Sequence, residues 1–260
     1  MRLANKVILI TGSATGIGKA IAVACVAEGA RVVIHGLESL LATDVVNQVG
    51  SDRAVSHVED LTQEGCPQRL IDLAIATFGK LDAVVNNAAV VSTGTIHTID
   101  SASFARTIAV NTLSPLLLIK AALPHLRQAK GAVLNIGSVN AYCGEPNLLG
   151  YSMSKGALMT LTRNLGDTLF REDSVRVNQI NPGWVLTDNE RARKKSHGLP
   201  DDWPASLPAT IAPSGRILFP EEIAVAAIYW ISDESAAMSG QVVDLEQYPL
   251  IGRNPPKAIR

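Results

Sequence analysis

The chain has 260 residues, 47% of them hydrophobic and 18% charged, with a formal net charge of -1. That length supports a substantial buried core, while the near-neutral balance lacks the basic excess that a nucleic-acid backbone demands of a partner. The most apolar stretch, 105–126, is broken by Arg106, Asn111, Pro115, Lys120 and Pro124, short of the roughly 18 to 20 uninterrupted apolar residues of a membrane span.

The elements alternate in chain order. A strand over Lys6–Ile10 runs into the glycine-rich turn Thr11-Gly12-Ser13-Ala14-Thr15-Gly16-Ile17-Gly18 and a helix to Glu28, with Gly29 placed to cap it. Strand Arg31–Ile34 precedes a helix over Ser39–Val49; strand Ala54–Val58 precedes a helix over Pro67–Phe78, capped by Gly79; strand Ala83–Val85 precedes a helix over Ser103–Leu126. Strand Ala132–Ile136 leads to a helix over Tyr151–Phe170, then strand Val175–Ile180. The segment 181–216 holds five prolines and no clear periodicity and reads as a long loop or lid. Pro220 opens a helix over Glu221–Ile231, and Gln241–Leu245 is the last strand. Such βαβ alternation predicts one α/β domain over 1–260, a doubly wound parallel sheet of about seven strands with helices on both faces.

Met1 to Lys6 lead straight into the first strand without a signal-peptide pattern, so a cytoplasmic location is expected. Cys25, Cys66 and Cys143 are scattered without Cys-x-x-Cys, which suggests reduced thiols and neither a disulfide framework nor a zinc site.

Glycines at 12, 16 and 18 let the backbone approach a pyrophosphate, and the following helix N-terminus offers free amides and partial positive charge to it. A tight strand-to-helix connection explains the same spacing when it is taken alone; its place in the first βα unit favours a dinucleotide. At the end of the second strand, Ile34-His35-Gly36-Leu37-Glu38 carries Gly36 and Leu37 where an acid would select NAD or an arginine NADP, so neither discriminator is present. With no cation to offset a phosphate dianion, the balance tilts to NAD. Asp60 and Leu61 follow the third strand, suited to accept from an adenine amino group and to pack on its ring, or to serve as an ordinary loop.

Of the four tyrosines, Tyr151 alone is followed four residues later by a lysine, Lys155. On a helix, i and i+4 share a face, so an ammonium beside the phenol favours its ionised form, helped by an oxidised nicotinamide ring. Ser138 follows the fifth strand, at the carboxyl edge where open parallel sheets bind ligands.

These motifs together resemble the classical short-chain dehydrogenases/reductases over nearly the whole chain: Thr11-Gly12-x-x-x-Gly16-Ile17-Gly18, Asn86-Asn87-Ala88-Ala89, Asn111, Ser138, Tyr151-x-x-x-Lys155, and Pro182-Gly183 with Thr187 beyond. The resemblance implies a Rossmann-type fold and reversible hydride transfer between NAD or NADP and a secondary alcohol/ketone pair. It makes Tyr151 the acid/base, Lys155 its modulator and a ribose ligand, Ser138 the anchor of the substrate oxygen, and Asn111 the holder of a water that gives the lysine a proton exit. It also implies cofactor contacts from Gly12, Ser13, Thr15, Gly16, Ile17, Gly18, Asp60, Leu61, Asn87, Ala88, Pro182, Gly183, Val185 and Thr187, no metal, and a homotetramer formed through the helices 103–126 and 151–170.

The chain departs from the family at Ala89, where glycine is usual, and at Val242-Val243-Asp244-Leu245-Glu246, which replaces a glycine pair and is expected to make the tail to Arg260 pack unusually. The substrate pocket is expected from 139–149 and 183–216, with Asn140, Cys143, Glu145 and Trp184 as candidate contacts; Asn140, Glu145 and Asn147 favour a polyhydroxylated substrate, as in a sugar or polyol, with a 3-oxoacyl group as an alternative. The basic run Arg191-Ala192-Arg193-Lys194-Lys195 reads as a solvated face or an attractor of acidic substrates. A non-catalytic dinucleotide sensor and an S-adenosylmethionine-dependent methyltransferase are the competing classes, neither of which needs Tyr151 paired with Lys155.

Overall fold

A computed structural model describes residues 1–142 and 144–250; Cys143 and the tail 251–260, each the subject of an expectation above, lie outside the described residues. Seven strands, β1 (Val7–Ile10), β2 (Arg31–Gly36), β3 (Ala54–Val58), β4 (Ala83–Asn86), β5 (Ala132–Ile136), β6 (Arg176–Pro182) and β7 (Val242–Leu245), form one parallel sheet ordered β3-β2-β1-β4-β5-β6-β7. The helices are α1 (Gly16–Ala27), α2 (Ser39–Val49), α3 (Cys66–Phe78), α4 (Ser101–Ile108), α5 (Ser114–Ala129), α6 (Leu149–Asp173), α7 (Asp188–Ser196) and α8 (Pro220–Ile231).

Alternation along β1 shows why helices are needed on both faces. Ile8 and Ile10 join one apolar cluster with Ile21 of α1, Val45 of α2 and Ile228 of α8. Val7 and Leu9 join another with Leu70 of α3, Leu118 of α5 and Leu169 of α6. Successive side chains point to opposite faces, and a strand buried on both reads as a continuous apolar run. Each such aliphatic side chain contributes about 1.5–3 kcal/mol on burial. The strand order reverses direction between β1 and β4, which opens a crevice at their carboxyl ends.

Two segments differ from the expectation. The helix expected over 103–126 is part of a helical run, 101–129, whose pitch widens to a π turn at Ala109–Leu113, with Ser114 donating both its N–H and its hydroxyl to the Ala109 carbonyl. By length and composition this run is apolar enough to cross a membrane; its α5 part packs Leu118, Ala122 and Leu126 into the core beneath the sheet. The second is the lid, which contains α7. Thr187 caps the Glu190 N–H, Asp188 and Glu190 sit in the first turn, and Arg193, Lys194 and Lys195 in the last, complementing the helix dipole. With no buried residue, α7 has no apolar stripe to reveal it in sequence. Beside it Trp203, Ala212 and Ile217 build a small separate core with Trp184, whose ring stacks on Trp203 at 5.0 Å.

Candidate functional site

The glycine-rich turn is held from below by neighbouring strand ends. Asn87 donates from Nδ2 to the carbonyls of Thr11 (2.9 Å) and Gly12 (3.0 Å), while the Thr11 hydroxyl accepts the N–H groups of Asn87 and Ala88. His35 accepts the Gly12 N–H at Nδ1 (3.2 Å) and so carries its proton on Nε2, which donates to the Glu59 carbonyl (2.9 Å). Burial pushes this imidazole down to about 4, so it remains neutral. A Cβ at Gly12 would lie 2.8 Å from Ala88 Cα, and one at Gly18 only 2.3 Å from the Gly12 carbonyl oxygen. Both positions therefore exclude a side chain, and the turn stays open toward the crevice.

Above it lies a cavity of about 500 Å³ lined from the carboxyl ends of β1 to β4 and from α7. Among the expected residues Gly12, Thr15, Gly16, Ile17, Asp60, Leu61, Asn87, Ala88 and Thr187 line it, as does Ala89. Ser13, also expected, is buried; its hydroxyl donates to the Ile10 carbonyl and accepts the His35 N–H. Gly18 is buried behind the turn, and Pro182, Gly183 and Val185 lie outside the lining. Glu246 packs its carboxylate against Gly183, where a Cβ would be 2.0 Å from Oε2.

His35, Arg106, Glu190 and Arg193 also line the cavity without having been expected there. Arg106 grips Asp60 with both guanidinium branches (2.5 and 3.0 Å), and this partner first, with Thr62, holds the carboxyl down to about 2. The signal for Arg106 in the sequence was a charge interrupting an apolar run. Glu190 accepts from Trp184 Nε1 (2.8 Å) and from two nitrogens of Arg193 (2.9 Å each).

Tyr151 and Lys155 stand one turn apart on α6, with Nζ 5.7 Å from the phenol ring centre. Lys155 is 2% exposed, donates to the Ile136 carbonyl (2.7 Å), and is pushed by burial down to about 8. Burial raises the Tyr151 phenol above its ordinary value; the Ser138 side chain, close enough to hydrogen-bond it, and the Arg193 charge oppose that, while Glu145 and Glu190 add to it. Ser138 itself accepts the Asn140 N–H (3.2 Å), and its own N–H is held by Asn181 Oδ1 (3.1 Å).

Asn111 lies in the π turn, buried, with its amide fully engaged: Oδ1 accepts the Val90 N–H, and Nδ2 donates to the Val90 carbonyl and the Ser154 hydroxyl. It ties the cavity wall to the residue preceding Lys155.

Residues 12–246 match the family model described as Enoyl-(Acyl carrier protein) reductase. The chain is similar to 2-(S)-hydroxypropyl-CoM dehydrogenase 3 of Xanthobacter autotrophicus, 36% identical over 92% of this chain and 94% of the relative. It is similar to L-fucose dehydrogenase of Mus musculus, 36% identical over 89% and 84%, and to cis-4-hydroxycyclohexanecarboxylate dehydrogenase of Sinomonas cyclohexanicum, 33% identical over 94% and 96%. The chain belongs to the classical short-chain dehydrogenase/reductase family, and within it is an NAD(P)-dependent oxidoreductase that acts on CH–OH groups, interconverting alcohols and ketones.

Proposed function

We propose that this enzyme oxidises or reduces a neutral, polyhydroxylated secondary alcohol/ketone pair with NAD, using Tyr151, Ser138, Lys155 and Asn111. The observation that carries the reading is the Tyr151 phenol at the carboxyl edge of the sheet, with Ser138 in hydrogen-bond reach and the Lys155 ammonium beside its ring.

The residues present fit a dinucleotide: a side-chain-free cradle at Gly12 and Gly18, the N-terminus of α1, and a cavity of about 500 Å³. Gly12, Thr15, Gly16, Ile17, Asn87 and Ala88 would hold its phosphate and ribose portion, Asp60 and Leu61 the adenine, and Thr187 the far end. When bound, the cofactor supplies or accepts the hydride. Tyr151 takes or gives the proton at its phenol oxygen, and Ser138 holds the substrate oxygen. In the protein alone burial keeps the phenol protonated, so Lys155 together with the positive charge of an oxidised nicotinamide must draw it down. Below pH of about 8 the Lys155 cation is present for that task. Asn111 positions the Val90 segment and the turn that carries Lys155.

Glu38 is the charged side chain of the β2 end at the cavity, and Arg106, the nearby cation, is engaged by Asp60. A 2′-phosphate would meet a carboxylate without a free partner, which supports NAD. Arg193 is likewise engaged by Glu190, while Glu145 is exposed near Tyr151. Such a rim accepts hydroxyl hydrogen bonds more readily than an anion. The name of the mouse relative, an L-fucose dehydrogenase, is consistent with a sugar-like substrate. A cytoplasmic enzyme is supported by the free thiols of Cys25 and Cys66. A homotetramer is supported by the exposed Leu113, Leu116, Leu117, Met153 and Phe170 along the 101–129 run and α6.

Tyr151→Phe tests the assignment. Turnover of polyols and their ketones, followed by nicotinamide absorbance, is expected to vanish while NAD binding persists; near-normal turnover rejects it.

A further inference from the structure

The geometry points to a divalent-cation site formed by His57, Glu59 and Cys66, outside the dinucleotide cavity and selective for a borderline-soft ion of the zinc type. The ligand-forming atoms of these three side chains lie within 4.8 Å of one another, and His57 Nε2 is 2.8 Å from Glu59 Oε2. Their convergence follows from the fold. His57 belongs to the edge strand β3, and Glu59 lies two positions on, so the two project to the same side of the extended chain. Cys66 opens α3, which returns across that side.

The donor set is what gives the site its selectivity. A thiolate, an imidazole and a carboxylate are the mixture zinc takes, with the fourth tetrahedral position left to water, whereas ions that prefer oxygen alone gain nothing from sulfur. Metal–ligand bonds of about 2.0–2.3 Å place tetrahedral donors under about 4 Å apart, so small side-chain rotations close the set. His57 and Glu59 have the freedom to make them, being 25% and 20% exposed, and they leave the water position facing solvent. Cys66 supplies the fixed, buried wall.

The surroundings accommodate the exchange. Arg69 now donates Nε to Glu59 Oε2 (3.0 Å) and Nη2 to both Glu59 Oε1 (2.5 Å) and the Glu64 carbonyl (2.9 Å). An ion on Oε2 displaces only the first of these, and Arg69 then orients the carboxylate from behind, as an outer partner does. On binding, a sulfur–metal bond forms and the thiol proton leaves to solvent; His57 gives up its Nε2–H···Glu59 hydrogen bond, carries its proton on Nδ1 and coordinates through the freed Nε2 lone pair, and no electron is transferred. A search for paired cysteine spacings misses this set, because only one of its ligands is a cysteine.

The test is direct binding to the full chain after chelator treatment. Calorimetry with Zn²⁺ is expected to give one molar equivalent with micromolar or tighter affinity, and Co²⁺ the near-ultraviolet thiolate-to-cobalt charge-transfer band. Cys66→Ser is expected to remove the band, and Cys66→Ser and His57→Gln each to weaken Zn²⁺ binding by at least about 10-fold, since loss of even an outer partner has that effect. Cys143→Ser is expected to leave both signals intact. Circular dichroism checks each fold; if Cys66→Ser does not fold, His57→Gln on the partly exposed strand carries the test. No stoichiometric equivalent, a band that survives Cys66→Ser, a band lost in Cys143→Ser, or full affinity in His57→Gln overturns the proposal. None of these readouts depends on turnover.

Discussion

Burial of the Lys155 amine weakens the folded state. The residue is 2% exposed, and burial lowers its proton affinity from the ordinary 10.5 to about 8. Ten-fold in that affinity corresponds to about 1.4 kcal/mol, so keeping the ammonium out of water weakens the folded state by about 3 kcal/mol at neutral pH. Lys155→Met removes the charge and keeps much of the stem. It also strips the Ile136 carbonyl of its donor, a loss of about 1–3 kcal/mol that is indifferent to pH. The pH dependence of the stability difference between the two proteins therefore isolates the charge. Below about pH 8 the amine is protonated both folded and unfolded, and the folded protein bears the whole penalty. Between about 8 and 10.5 only the unfolded chain holds the proton, so wild-type stability rises with pH. From about pH 7 to about pH 9.5 the wild type should gain about 2 kcal/mol on Lys155→Met. Tyr151, raised by burial, does not titrate in that range. Urea unfolding of both proteins at several pH values measures the gap. A difference that stays flat refutes the buried, protonated lysine.

Two further substitutions probe the cofactor end. Leu37 is 66% exposed on the cavity rim; Leu37→Arg adds a cation where a 2′-phosphate would sit, and the ratio of NADP to NAD affinity should rise about 10-fold, the value of one charged hydrogen bond. An unchanged ratio in a fluorescence titration moves the adenosine end elsewhere. Gly18→Ala drives a Cβ to within 2.4 Å of Asn87 Nδ2 as well as into the Gly12 carbonyl, so NAD affinity should fall by at least about 10-fold with about 1–3 kcal/mol lost in stability. Gly79→Ala, whose Cβ meets nothing within 4 Å but whose φ is +79°, should lose about 1 kcal/mol and bind NAD normally. Equal NAD binding by the two variants would reject the cradle.

Strand identity, sheet direction and the facing of Tyr151 and Lys155 were all legible from residue order, because each depends on local chemistry: apolar runs buried on both faces, and two side chains one helical turn apart. The glycines at 12 and 18 were legible for a similar reason, since only they suit a turn that other backbone crowds. What escaped was one helix without an apolar period and the contacts between distant segments. Helix α7 has no apolar stripe, so its charged ends and the Thr187 cap form it without a periodic signal. Asn111 looked like an interruption and proved to be tied to Val90 and Ser154. Ser13 stood in the motif, yet its hydroxyl is spent on Ile10 and His35.

The sequence by itself determined a parallel sheet with Tyr151 and Lys155 on one face of a helix, because periodicity and short-range spacing act within one element. Only the tertiary structure decided which charges meet. Arg106 reaches Asp60 across 46 positions, and His57, Glu59 and Cys66 converge beside an edge strand. Such pairings depend on where the chain returns after each crossover, which no local pattern records.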